Sequence, residues 1–309
     1  MLSSALVAAM SLHAPACQDF PAADPALLVP SAASVVLGLD LDAFAKTSIG
    51  KAALPALRSD LQLAESLEIL DDCGLELERS YALTVARAPD GATMVVAQAR
   101  GIGTQATLQC LEAELRARKE GADPWRARRG SCYPELAFSD SARAWLINDY
   151  TAVWASGSFV DSVAARFEGG EPMQLPSSLS EEFGRLDRSK HLWLAAELSD
   201  ADRSALPGAW ASMAQSLTAS IDLSQGMRAV LSLSGADVAS TVTMRELVLL
   251  SFTELAERLD SFGVAHRIRE RAAVGIVDGV VAAALELDER ELLAIRRQIG
   301  EQIRGRGPL

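Results

Sequence analysis

The chain has 309 residues, 49% hydrophobic and 23% charged, with a formal net charge of −12. That length holds one large domain or two ordinary ones, and a chain this apolar buries a core and does not stay disordered. The acidic balance repels phosphate backbones, and no run of Lys and Arg with interleaved aromatics appears, so nucleic acid is excluded as a partner.

Residues 2–12, "LSSALVAAMSL", form an apolar run too short to span a bilayer but suited to the core of a signal peptide. Ala14-Pro15-Ala16 then supplies the small residues of a cleavage site, which predicts a signal peptide over 1–16. The run carries no Lys or Arg ahead of it. Cys17 stands where a bacterial lipoprotein bears its acylated cysteine, and a Pro/Ala tether over 17–32 follows. An exported protein in a periplasmic or outer-membrane-anchored location is expected, held to the membrane through lipidated Cys17 if cleaved there. Of the remaining cysteines, none forms a C-x-x-C, and only His191 and His266 lie beyond the leader, so no zinc site is expected. An oxidising compartment favours one disulfide, Cys73–Cys110, with Cys110–Cys132 as the alternative.

Further along, "SVVLGLDL" (34–41) is β-branched and apolar and predicts a strand. Asp42 is placed to cap a helix over 43–58, and a second helix over 63–74 stops at Gly74. Two alternating runs around Pro89-Asp90-Gly91 predict a hairpin, and a helix from Thr104 follows. The same order returns: a strand at 191–198, a helix around 201–215 capped by Ser199 or Asp200, a hairpin about Ser224-Gln225-Gly226, and a helix from Asp237 to about Leu259. Each copy then adds strands. The first has "RARRGSCYPELAF", "ARAWLI" and "TAVWAS" with a turn at Asn148-Asp149, then a helix at 158–167. The second has "RIRERAAVGIV" and "VVAAALEL" about Asp278-Gly279, then a helix opened by Asp288 with Glu291 three residues later, a capping-box pattern. The expected fold class is α+β: two strand–helix–hairpin–helix units, 33–170 and 179–304, with mainly antiparallel sheets covered by helices. The pattern leaves open whether the copies share one sheet.

The Cys-ended leader, the tether, "VVLGLDLDAFAKTSIGKAAL" and the repeated element order resemble uncharacterised secreted proteins and predicted lipoproteins of GC-rich Gram-negative bacteria, the myxobacterial type especially. No activity comes with that group, so the resemblance implies an address and carries no functional residues. Four lysines against twenty-five arginines fit a GC-rich genome.

Several motifs invite chemistry. "RGIGTQA" (100–106) matches a dinucleotide-binding turn, but its strand belongs to a hairpin and not to a βαβ unit, so a turn capped by Thr104 is expected. Ser48-Ile49-Gly50-Lys51 matches S-x-x-K of penicillin-recognising serine enzymes, yet no K-T-G follows on a strand. Asp40 and Asp42 form a D-x-D, for which helix capping accounts without a metal. Arg126 and Arg128, and then Arg267, Arg269 and Arg271, alternate as on strands. Each set would share a face, as a candidate site for an anionic ligand or as a charged guard against aggregation. Trp145, Trp154 and Trp193 sit in apolar runs and are expected in the core. No cofactor, metal or catalytic residue is assigned. The reading is a non-catalytic envelope module that binds or scaffolds an envelope protein or anionic ligand. The alternatives are a carrier for a hydrophobic ligand and an exported serine hydrolase using Ser48 and Lys51.

Overall fold

The computed structural model describes residues 24–58, 68–76, 80–118, 126–129, 133–139, 141–168, 174–206, 208–261, 263–264, 266–295 and 297. The leader, Cys17 and Cys132 lie outside them, as does most of the tether. The described residues form an α+β fold around one sheet of twelve strands. From its centre, β1 (Val35–Asp40) is followed outward by β2 (Ser80–Arg87), β3 (Thr93–Ala99), β7 (Thr151–Ser156), β6 (Ala142–Asn148), β5 (Pro134–Ser139) and β4 (Arg126–Arg129). On the other side come β8 (Leu192–Glu197), β9 (Ala214–Asp222), β10 (Met227–Gly235), β12 (Val280–Leu287) and β11 (Ala272–Val277). Every neighbouring pair is antiparallel. The β1–β8 ladder, from Val35 opposite Ala196 to Leu39 opposite Leu192, joins the halves into one sheet. Read outward from that seam, β1-β2-β3-β7-β6 and β8-β9-β10-β12-β11 have the same order.

Strand alternation decides what each face buries. The register puts Val36, Ala86, Met94, Val96, Val153 and Ala155 on one face, here the front, where none exceeds 1% exposure. A 3₁₀ turn at Pro25–Leu28, the helix at Phe159–Phe167 and the helix at Ser180–Arg185 seal this face; Leu28, Phe159, Val163 and Phe183 pack into its core. In the second half the core lies on the back. There Leu217, Leu233, Val281 and Ala283 pack with Met244 and Val248 of the long helix at Val238–Ser261. The front of that half carries Ser216, Thr218 and Ser220 on β9, Val230, Ser232 and Ser234 on β10, and Ala282 and Ala284 on β12. The helical residues 289–295 that leave β12 do not cover it, because Leu292 and Ile295 pack with Ala256, Leu259 and Ile268 at the end of the long helix.

Four local expectations change. The run "RARRGSCYPELAF" is not one strand but two, β4 and β5, paired antiparallel with each other. The helix over 43–58 is two helices, α1 (Leu41–Lys46) and α2 (Ser48–Arg58), broken at Thr47, whose ψ is 160°. Asp40 caps α1 by accepting from the Ala43 N–H at 2.8 Å, while Asp42 pairs with Lys46 one turn on. Around 201–215 the chain forms a short helix, Asp200–Ala205, capped by Ser199 in a box with Asp202, then a 3₁₀ turn at Ala209–Met213. The strand expected over 267–277 starts only at Ala272, because Ile268–Arg271 make a helical turn. Glu291 holds that turn: it accepts from the Arg267 N–H at 2.8 Å and from the Arg271 guanidinium at 2.9 Å. The Asp288–Glu291 capping box is present, with reciprocal bonds of 2.8 and 3.0 Å.

The Cys73–Cys110 disulfide is formed. It ties the chain beyond the helical residues 68–72 to the helix at Gln105–Arg118. Among the described residues no helix is long and apolar enough to cross a membrane.

Candidate functional site

The front of the sheet carries a recess of about 480 Å³ where the two halves meet. Its floor is a cross-strand pair, Gly38 on β1 opposite Trp193 on β8. A Cβ on Gly38 would stand 2.0 Å from the indole, so only glycine lets Trp193 lie against the β1 backbone. Trp193 meets Phe183 edge-on at 5.9 Å, Arg188 lies over the Phe183 ring at 5.5 Å, and Arg188 donates to Asp24 at 2.5 Å. This chain of contacts fixes one wall. Thr84 and Ala82 of β2 and Gln98 of β3 extend the floor, and Tyr81 stands exposed at the rim.

Electrostatically the recess is settled from within. Lys190 donates to Asp222 at 3.2 Å and lies 3.6 Å from Asp187, contacts that raise its pKa. Asp222 accepts from the Ser224 N–H at 2.9 Å; Ser224 and, after it, Lys190 pull its carboxyl down to about 2. His191 is oriented beside it: Nδ1 accepts from the Leu223 N–H at 3.1 Å and lies 3.4 Å from Asp222. Of the charged groups lining the recess, Asp24 holds Arg188, Asp40 caps α1, Asp42 holds Lys46 and Lys190 holds Asp222. The recess is a preset polar cradle with an indole in its floor.

A second recess, about 570 Å³, occupies the corresponding strand ends of the other half. Glu197 ends β8 as Asp40 ends β1, and Ser216 and Ser234 replace the β2 and β3 positions. Arg185 donates to the Ser234 hydroxyl at 3.1 Å, and Ser216 donates to it at 3.0 Å.

The residues singled out from sequence lie elsewhere. Ser48 opens α2 and Lys51 is exposed; no hydrogen bond joins them. Gly50 between them has a packing reason, since a Cβ there would stand 1.9 Å from the Phe44 carbonyl oxygen of α1. In "RGIGTQA" a Cβ on Gly103 would stand 1.9 Å from the Asn148 carbonyl, and Gly101 donates to Asp149 at 2.9 Å. The β6–β7 turn thus fills the space a pyrophosphate needs, and the Thr104 hydroxyl accepts from the Thr107 N–H as a cap. Trp145 and Trp193 are buried and Trp154 is half-buried. Among the described residues no cluster of His, Cys, Asp and Glu is arranged to hold a metal.

The arginine faces need correction. Arg267, Arg269 and Arg271 flank or occupy a helical turn, so strand alternation does not unite them. Each has a carboxylate: Asp288 at 3.3 Å, Asp260 at 2.8 Å and Glu291 at 2.9 Å. An anion arriving there meets carboxylates as well as guanidiniums. Arg126 and Arg128 lie in β4, an edge of the sheet, opposite Ala137 and Glu135.

Sequence reasoning passed over Asp24, Arg188 and Lys190. Asp24 and Arg188 meet across 164 residues, and no local spacing signals that pair.

No protein-family model matches this chain, and no curated protein matches it. Among solved structures it is similar to TP0453. Crystal form III covers 89% of this chain and 98% of that one, with 12% identity and a TM-score of 0.54. Forms I and IV give 0.45 and 0.49 at 12% and 11% identity. At this identity the likeness to form III is one of fold: a helix-covered antiparallel sheet.

Proposed function

We propose that this protein is a non-catalytic binding module of a bacterial cell envelope, and that the recess over Gly38 and Trp193 takes a small polar ligand. The observation that carries this reading is the pairing of every charged group lining the recess. Catalytic groups are kept poised by perturbed and incompletely satisfied surroundings. Here the charges serve the walls, and hydroxyls and an indole are left to meet a ligand, the composition of a binding cradle. The leader over 1–16 and Cys17 supply the envelope address, with the domain hung from a lipid or released. The matching strand order of the halves supports descent from one duplicated unit.

The test is tryptophan fluorescence of the purified chain during titration with hexoses, amino acids and polyamines. Trp193 lines the recess, so an occupant shifts its emission. A saturable shift that disappears in Ala82→Trp, which fills the floor, supports the reading. Absence of any shift across the panel, or covalent labelling of Ser48 by a fluorophosphonate, contradicts it.

A further inference from the structure

We propose that the second recess, at the ends of β8, β9 and β10, binds a linear polyamine. The strand register lays out its floor. Glu197 lies opposite Ser216, and Ser216 opposite Ser234, so the three form one row across the front of the sheet. The next strand in that direction is β12, and the turn at Asp278-Gly279 leads into it. From β8 to β12 the row crosses three strand spacings, about 14 Å. Above it, the helix at Ser180–Arg185 packs against β8 and β9 and brings Glu181, Glu182 and Arg185 to the recess.

The charges here are not settled from within, as they are in the recess over Gly38 and Trp193. Both guanidiniums are matched: Arg185 holds Glu181 at 3.1 Å and Arg203 holds Asp200. The carboxylates of Glu182, Glu197 and Asp278, which also line the recess, have no hydrogen bond or ion pair among the described residues. Glu182 carries the most weight, because it is only 8% exposed. A buried carboxylate without a partner is costly, and a cation from outside removes that cost. Glu197 and Asp278 stand too far apart to share one ion, and no metal-holding cluster exists among the described residues. Separated carboxylates around an elongated floor suit a chain that carries ammonium groups at intervals, with Val280 beside its methylenes. Neither serine bonds a carboxylate: Ser216 donates to Ser234, which also accepts from Arg185. The recess therefore holds no nucleophile beside a base and is built to bind. The net charge of −12 draws cations toward it.

Isothermal titration calorimetry of the purified chain with spermidine, in about 0.15 M salt to screen loose surface adsorption, tests this. Saturable binding at one site is expected. Glu182→Gln keeps the shape of the side chain and should weaken binding at least ~10-fold. If circular dichroism shows that variant unfolded, Asp278→Asn takes its place, since asparagine keeps the φ of 49°, and should weaken binding about 3-fold. Putrescine, too short to join the two ends, should bind at least ~10-fold more weakly than spermidine. Ala82→Trp, which fills the other recess, should leave spermidine binding unchanged, so the readings of the two recesses fail separately. Absence of saturable binding, binding undiminished by the variant that folds, or loss of binding in Ala82→Trp overturns the proposal.

Discussion

The two halves of the sheet share a strand order and differ in what covers their front. In the first half Met94, Val96 and Val153 are fully buried beneath the 3₁₀ turn at Pro25–Leu28 and the helix at Phe159–Phe167. In the second half the front positions of β9, Ser216, Thr218 and Ser220, are buried beside the helix at Ser180–Arg185, and the front opens only beyond them, where β10 and β12 carry serines and alanines and Val230 is 38% exposed. The cause is one helix. After β7 the chain crosses to the front; after β12 it turns to the back, where Leu292 and Ile295 find the end of the long helix. A face that loses its helix cannot keep large apolar side chains, and here it carries small and hydroxyl-bearing residues. The back of the second half packs Met244, Val248, Ala256 and Leu259 of one 24-residue helix; in the first half the helix at Gln105–Arg118 is tied by the Cys73–Cys110 disulfide.

Substitutions that read the two halves separately should follow this division. Phe159→Ala, in the sealed front, is expected to cost about 3–5 kcal/mol in urea unfolding. Removing the disulfide with Cys73→Ser and Cys110→Ser is expected to cost about 3–4 kcal/mol, from the loop its ends close; local exchange should rise in 105–118 before it does in 238–261. Asp222, at the end of β9, gives a pH signature. Its folded pKa of about 2 lies below the ordinary 3.8, so its stabilisation is present above pH ~4 and lost as pH falls toward 2. The loss is expected to be about 1 kcal/mol, and Asp222→Asn should flatten the acid limb of the stability curve. Ser232→Ala on the open front should change stability by no more than about 0.5 kcal/mol.

Much of this architecture was legible because alternation and turn chemistry are local. "VVAAALEL" is β12 residue for residue, and Asp278-Gly279 takes φ of 49° and 79°, as a tight hairpin turn requires. Where the reading failed, a distant partner decided. "RIRER" alternates like a strand, but Glu291, twenty residues away from Arg271, bonds it into a helical turn. The break at Thr47 follows from α2 folding back so closely on Phe44 that only Gly50 fits. The recess was not legible at all. Its walls join Asp24 to Arg188 and Gly38 to Trp193, and neither pair leaves a spacing in the sequence.

The asymmetry of the front face is tested most directly by hydroxyl-radical footprinting of the purified chain. The account predicts label on Val230 and Val277, and protection of Met94 and Met244, which are fully buried on the front of the first half and the back of the second. Oxidation of Met94 at the rate of an exposed methionine would contradict the sealed front of the first half. Protection of Val230 would contradict the open β10 part of the second half's front.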